Sequence, residues 1–471
     1  MKHPRRQIAF IVFILLSVKT LLAEGTLRHI YGDSTNTNLL NMVMLAEAYP
    51  ESQEQQFIDH VTNLTAEVLM APPYKQHASF INVWSIYVPS EDSGADHPNE
   101  DIEKDTYFDA TFGTSTERLV TFSNKSAAYD LLAEHVPDYD IVCLIVNDSQ
   151  YGGSGGAISV ATVSSSSTDL FLHETGHSFA LLADEYETPY SLNPSEKYNV
   201  TAKTERDEIP WTSWILPETP VPTPETADYQ DVVGIFEGAM YQPTGWYRPK
   251  YGCKMRTLSM PFCEVCIEAH ILQFYLRISP IKESFPQKLV VNYPEDTTTL
   301  SVATYDLDPN TITVTWFLDT EEVHTGDSLS LDELSLESGE YTVKAVAKDT
   351  TPLACNPLAK AIMSDSVSWD VKIATTALRH NQSRFMKAAV SVKLRRGRVT
   401  IQGIPENTRP LQLSLYTLQG KCIVNRKNVK PLHPIVGVSF PEAKLGTGIY
   451  IIIVNEIKST TRRYFQVLVT K

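Results

Sequence analysis

Positive charge is scarce in this chain: 40 Lys and Arg stand against 56 Asp and Glu, a formal net charge of -16 over 471 residues. So acidic a chain repels phosphate backbones, which makes nucleic acid a poor partner. Cysteine is scarce too, with six in all: Cys143, Cys253, Cys263, Cys266, Cys355 and Cys422. No Cys…Trp…Cys framework is present, which excludes an antibody-type domain. Cys253, Cys263 and Cys266 cluster, but three thiols without a fourth ligand argue poorly for a zinc knuckle. In an exported chain one disulfide among them is the competing expectation, and sequence does not fix its pairing. Cys143 lies in the apolar run "DIVCLIVND" and reads as a free core thiol. Long repeats are missing, and the only low-complexity tract is "SSSS" at 164–167. With 42% hydrophobic and 20% charged residues the chain is globular rather than disordered.

The first 23 residues read as a signal peptide. Lys2, Arg5 and Arg6 form a basic lead, Ile8 to Val18 an apolar run too short for a membrane anchor, and Leu21-Leu22-Ala23 a small-residue cleavage site. No cysteine follows that site, which argues against a lipoprotein. Cleavage removes four cations (Lys2, Arg5, Arg6, Lys19) and no acid, moving the formal charge from -16 to -20. The expected location is therefore outside the cell or on its surface.

Residues 24–285 alternate strand and helix signals. "NTNLLNMVMLAEAYP", "ASFINVWSIYVPS" and "YDIVCLIVND" contain strand-like apolar runs, whereas "ESQEQQFIDHVTNLTAEVLM" and "SAAYDLLAEHV" have helical spacing. Such alternation predicts an α/β (α+β) layer domain. Residues 286–373 carry short alternating runs instead, among them "TITVTWFLD" with Trp316 in mid-strand and "GEYTVKAVAKD" with Tyr341 placed as in a tyrosine corner. These predict an immunoglobulin-like β-sandwich. A polar, basic linker spans 374–390, and the strand-rich segment 391–471 predicts a second β-sandwich.

Chemistry concentrates in "LFLHETGHSFALLADEYE", residues 170–187. His173 and His177 are four positions apart, so on a helix both imidazoles face one side and reach one ion. Glu174 projects beside them as a candidate general base, which is the HExxH arrangement of zinc hydrolases. The five-residue motif recurs by chance, so its surroundings matter. Leu170 to Leu172 and Phe179, Leu181 and Leu182 supply the apolar stripe of a buried helix. Gly176 costs about 1 kcal/mol against Ala in a helix, and calls for a compensating reason such as close approach of another backbone. In metzincin proteases a glycine turns the chain toward a third His; here those positions are Ala180 and Ala183. Asp184 is the first candidate for a third ligand, Glu185 the second, and Glu237 in "GIFEGAMY" a third.

Taken with "YGGSGGAISVAT", "YNVTAKTERDEIPWTSWI…TPVPTP" and "GIFEGAMYQPTGWYRPKYGCKMR…PFCEVC", the motif resembles the IgA metallopeptidase family of secreted zinc proteases over residues 29–275. The resemblance implies a zincin-like, metzincin-like catalytic domain, followed here by the two sandwiches. It also implies zinc held by His173, His177 and Asp184, Glu174 activating water, and Met255 as the Met-turn residue beneath the metal. The chain departs from the family at Ala180 and at "LAEAY", near residue 45, where glycines are usual. Tyr247 and Arg248 are candidate oxyanion donors, and the "YGGSGGAISV" strand a candidate edge for an extended peptide. The segments "LYTLQGK", "GTGIYIIIVN" and "FQVLVTK" make the tail similar to a type IX secretion sorting domain, which implies that machinery as a partner. Cys422 and "KPLHPIV" interrupt that pattern.

The leading expectation is a secreted zinc endopeptidase acting on extracellular or host protein. A catalytically inactive adhesin or glycoprotein-binding protein that keeps the zinc fold competes with it, although the intact Glu174 argues against that. A zinc-dependent deacetylase or other amide hydrolase would share the metal chemistry and leave backbone peptide bonds intact.

Overall fold

The chain's most apolar runs form the middle of its largest sheet. In the computed structural model, which describes residues 25–188, 193–373 and seven strands between 391 and 469, β2 (Leu40–Glu47) and β6 (Ile141–Val146) lie side by side and parallel. Every residue of β6 is buried, as expected of a strand covered on both faces. Alternate residues serve two separate cores. Met42, Met44, Ile141, Cys143 and Ile145 pack with α1 (Glu54–Val68), α3 (Ser167–Ser178) and α4 (Glu264–Tyr275). Val43, Leu45, Val142, Leu144 and Val146 pack with α2 (Lys125–His135) and the small hairpin β4–β5 (Ala110–Phe112, Val120–Phe122).

The sheet runs β1-β3-β2-β6-β8-β7, with β1 at Thr26–Tyr31, β3 at Ile81–Tyr87, β8 at Ser159–Thr162 and β7 at Gly153–Ser154. The four inner strands are parallel, and both edge strands antiparallel to their neighbours. The "YGGSGGAISV" segment therefore reaches a sheet edge, as read from sequence. That edge is half covered, because Gly153 N–H donates to Arg118 O at 3.0 Å. The departure at "LAEAY" has a structural trace: Ala48, fully buried, holds φ at +63°, where glycine would be free of an αL cost of about 1–2 kcal/mol.

Eight strands, β11 to β18, form the next domain. One sheet is β11-β13-β16 (Ile281–Phe285, Thr299–Thr304, Ser328–Ser330). The other is β12-β18-β17-β14-β15 (Val290–Tyr293, Ser364–Ile373, Gly339–Asp349, Ile312–Leu318, Glu321–Thr325). Because β11 pairs with β13, the sandwich begins near residue 281, not at 286 as the change in sequence texture suggested. Trp316 and Trp369 are fully buried and stack with centroids 5.7 Å apart. Tyr341 donates its hydroxyl to Glu337 O at 3.2 Å, back along its own chain as a tyrosine corner does.

This sandwich is docked on the first domain. Tyr275 OH donates to Asp349 Oδ2 at 2.7 Å, and Asp308 N–H to Gln76 O at 3.1 Å. Farther on, seven strands form two antiparallel sheets, β19-β20-β23 (Ser391–Arg395, Arg398–Gln402, Ile435–Ser439) and β22-β21-β24-β25 (Cys422–Val429, Leu411–Thr417, Gly448–Glu456, Arg462–Val469). The expected signal peptide (1–23), the linker (374–390) and the Cys422 side chain lie outside the described residues. Among the described residues no helix is long and apolar enough to cross a membrane.

Candidate metal centre

α3 carries the HExxH residues and is buried from Leu170 through Gly176. His173 Nδ1 lies 3.0 Å from Lys254 O, and His177 Nδ1 2.9 Å from Leu182 O. A carbonyl only accepts, so each Nδ1 carries the proton and each Nε2 presents a lone pair. Those two Nε2 atoms stand 3.2 Å apart, and Asp184 Oδ1 lies 3.2 Å from one and 3.3 Å from the other. Three acceptor atoms so placed repel one another unless a cation or a proton lies between them. A tetrahedral zinc with bonds of about 2.0–2.1 Å sets its ligand atoms about 3.3 Å apart, so the triangle fits such an ion. Asp184 Oδ1 is buried and has no partner besides those two ring nitrogens, which is the second sign of a place for a cation or a proton.

Without an ion, protonation answers the same repulsion. Burial works against a charged His177, but the hydrogen bond and charge of Asp184 prevail and raise its pKa to about 9. Burial pushes Asp184 up, yet hydrogen bonds and charges from both imidazoles hold it well below the usual carboxylate range. Glu174 moves up, chiefly because it is buried.

Why Asp184 and not its neighbours follows from how the helix ends. α3 stops at Ser178, and the left-handed residue that turns the chain is Leu181, with φ +59°, not Ala180 where metzincins have their glycine. Leu182 N–H then closes on Gly176 O at 2.9 Å. The turn comes one residue late, and it is Asp184, not Ala183, that comes beside the two imidazoles. Beyond the turn Met240 N–H binds Asp184 O and Tyr241 N–H binds Tyr186 O, both at 3.0 Å. In that extended stretch successive side chains alternate, so Glu185 points away from the histidines. It accepts instead from Asn199 Nδ2 at 2.8 Å. Glu237 lies exposed on β9 (Phe236–Ala239) and accepts from Gly245 N–H, so it is not brought to the histidines. Leu181 is 37% exposed, so Leu181→Gly should remove the αL cost and lose little packing. We expect a gain of about 1 kcal/mol and a melting temperature about 2–4 °C higher; a lower one would mean that the leucine side chain anchors the turn.

Gly176 has its reason in a side chain and not, as the sequence suggested, in another backbone. A Cβ there would sit 2.6 Å from Met255 Sδ, and Met255 is fully buried beneath the helix. Gly176→Ala is expected to cost about 1–3 kcal/mol of overpacking against about 1 kcal/mol of helix propensity gained. Thermal melts of Gly176→Ala alone and with Met255→Ala test this: the second change should recover part of the loss. Gly155 makes a similar approach, since a Cβ there would stand 2.6 Å from Glu174 Oε2.

One sequence expectation fails here. Arg248 is fully buried on β10 (Gln242–Arg248), its guanidinium donating to Glu237 O and Gly238 O and paired with Glu225, so it is not free to meet an oxyanion. Tyr247 on the same strand exchanges both backbone hydrogen bonds with Thr201. One site residue was missed: Tyr241 OH donates to Asp184 Oδ2. Met240 and Tyr241 have φ of +52° and +65°, a strained pair of the kind that gathers at functional sites.

The family model described as IgA Peptidase M64 matches residues 30–231 and 225–274 of this chain. No curated protein matches it. Among solved structures, a two-domain fibronectin type-III segment of chicken tenascin is 13% identical, covering 37% of this chain and 93% of that one at a TM-score of 0.13. The titin domains I67–I69 are 15% identical over 38% of this chain and 61% of theirs, at 0.12. The Bacteroides uniformis beta-glucuronidase 3 is 10% identical over 50% of this chain and 30% of its own, at 0.14. At such scores these three likenesses carry no argument.

Proposed function

The chain belongs to the IgA Peptidase M64 family, and from that premise we propose that it is a zinc-dependent endopeptidase exported to act on extracellular protein. The peptidase class and its need for a metal come with the family. Zinc, the ligand set and export are our own reading. One observation carries it: two imidazole nitrogens and a buried carboxylate oxygen converge within 3.3 Å of one another. His173, His177 and Asp184 would hold the ion. Zinc, when bound, acidifies water and polarises a carbonyl.

The chain's own residues supply the remainder. Glu174, buried with its pKa raised, would take a proton from the attacking water and return it to the departing amine. Tyr241 holds Asp184 by its second oxygen and so fixes the orientation of the first. Lys254 O and Leu182 O fix both rings. Because Gly155 lies against Glu174 and Gly153 N–H is already engaged, an extended substrate would meet this edge at Gly155, since β8 beyond it is paired on both sides. The basic lead, apolar run and small-residue site of residues 1–23 support export, and the likeness of 415–421, 446–455 and 465–471 to a sorting domain supports passage through the type IX machinery.

The test is digestion of a proteome-derived peptide library, with new termini read by mass spectrometry, before and after a zinc chelator and after zinc is restored. New termini should vanish with chelation and return with zinc. A metal-loaded protein that leaves every peptide intact would sink the endopeptidase and favour a hydrolase of non-peptide amides.

A further inference from the structure

A second cluster of metal-ligating side chains lies next to the first. Glu185, Cys253, Cys263 and Cys266 are all buried, and one ligand atom from each lies within 4.8 Å of the other three. Cys253 Sγ is 3.6 Å from Cys266 Sγ, and Cys266 Sγ is 3.3 Å from Glu185 Oε1. Tetrahedral zinc with sulfur bonds of about 2.3 Å places its sulfurs about 3.8 Å apart, so the Cys253–Cys266 pair is already close to that spacing. Sequence offered three thiols and no fourth ligand; the fold brings Glu185 from 68 positions before Cys253.

We propose that Glu185, Cys253, Cys263 and Cys266 bind a structural zinc ion, distinct from the one assigned to the histidines.

Four features favour an ion over a disulfide. None of the three thiols is bonded to another. Pairing any two would leave the third thiol beside a carboxylate that is wholly excluded from solvent, with Glu185 Oε2 lacking any hydrogen-bond partner. The supporting hydrogen bonds of a metal site are in place: Asn199 Nδ2 holds Glu185 Oε1 at 2.8 Å, and Cys263 N–H points at Cys253 Sγ at 3.3 Å. Finally, Cys263 occupies the N-cap position of the twelve-residue helix α4 and Cys266 lies in its first turn, where the helix dipole favours thiolates.

Such an ion would act as a clamp. Glu185 follows Asp184, and its own N–H binds Met255 O at 2.9 Å. Cys253 precedes Lys254, whose carbonyl orients His173, and Met255, which lies under Gly176. One ion would therefore tie the extended segment bearing Asp184 to the turn beneath the catalytic helix, using no residue of the catalytic set. Four closed protein ligands leave no open position for water, which is the mark of a structural and not a catalytic site.

The experiment uses the full mature chain, purified without chelator or reductant, and a His173→Ala/His177→Ala double variant. Elemental analysis should find about two zinc ions per wild-type chain and about one per double variant. Exchange with cobalt(II) should give both proteins a sulfur-to-cobalt charge-transfer absorption in the near ultraviolet. Because the wild-type spectrum needs no mutation, a misfolded variant cannot hide the answer. A thiolate-bound metal in the double variant supports the clamp even if no peptide is ever cut, which separates this inference from the endopeptidase reading. Three results overturn it: a wild-type chain with about one metal and no sulfur band, a disulfide mapped by peptide mass spectrometry between any two of Cys253, Cys263 and Cys266, or free alkylation of these three thiols in the folded, metal-loaded protein.

Discussion

Glu174→Gln is expected to lower kcat/KM by about 10²–10⁴-fold while metal content stays at the wild-type level. Glutamine keeps the size of the side chain and its place against Gly155, but it cannot accept a proton and pass it on. Among the described residues, neither neighbouring carboxylate is positioned to substitute. Asp184 is held as an anion by two imidazoles and by Tyr241, and Glu185 faces away toward Asn199. The measurement pairs steady-state cleavage of a peptide found in the library with elemental analysis of the same sample. An unchanged rate would remove Glu174 from the mechanism. A lost rate together with lost metal would make it a structural support of the site, and Glu174→Asp would then restore the metal without restoring the rate.

Much of this was legible from local sequence, because the signals concerned are local. The apolar run Ile141–Val146 had to be a strand covered on both faces. His173 and His177 had to share a helical face once their segment was buried. What sequence could not decide depended on the phase of a turn or on residues far along the chain. Asp184 and Glu185 are chemically alike and adjacent, and the choice between them was made by where the chain turns: at Leu181, one residue beyond the expected glycine position. Gly176 could be flagged as costly, but its partner Met255 lies 79 positions away. Tyr241 carries no motif; only its left-handed backbone and its bond to Asp184 mark it, and both are properties of the fold. Arg248 shows the opposite failure, a charged residue in a well-marked segment whose guanidinium serves carbonyls in the interior. The domain edge was misread by a few residues because β11, in "IKESF", is short and polar; its pairing with β13 outweighs its composition.

The largest stability effect is expected at Glu268, in the middle of α4. The residue is wholly buried, a position in which a lone carboxylate is not tolerated. Four donors meet it there: Tyr198 OH and Trp214 Nε1 at 2.8 Å on one oxygen, Cys355 N–H at 2.5 Å and Asn356 N–H at 2.7 Å on the other. The first pair comes from the long connection after the candidate metal centre, the second from the loop before α5 (Pro357–Ile362) of the sandwich. Glu268 is thus where two domains and the catalytic connection are joined. Glu268→Ala leaves all four donors unmet in a site water does not reach, and should cost about 3–5 kcal/mol, lowering the melting temperature by about 10 °C. Glu268→Gln is no conservative change here, since backbone N–H groups and an indole N–H cannot reverse their role. Whichever oxygen becomes NH₂ faces at least one fixed donor, so an intermediate loss of about 1–3 kcal/mol is expected. A double-mutant cycle with Trp214→Phe should show coupling, because the pair shares one bond. If Ala and Gln both melt like the wild type, Glu268 does not join the domains, and their docking rests on apolar burial and on contacts such as Tyr275–Asp349 and Asp308–Gln76.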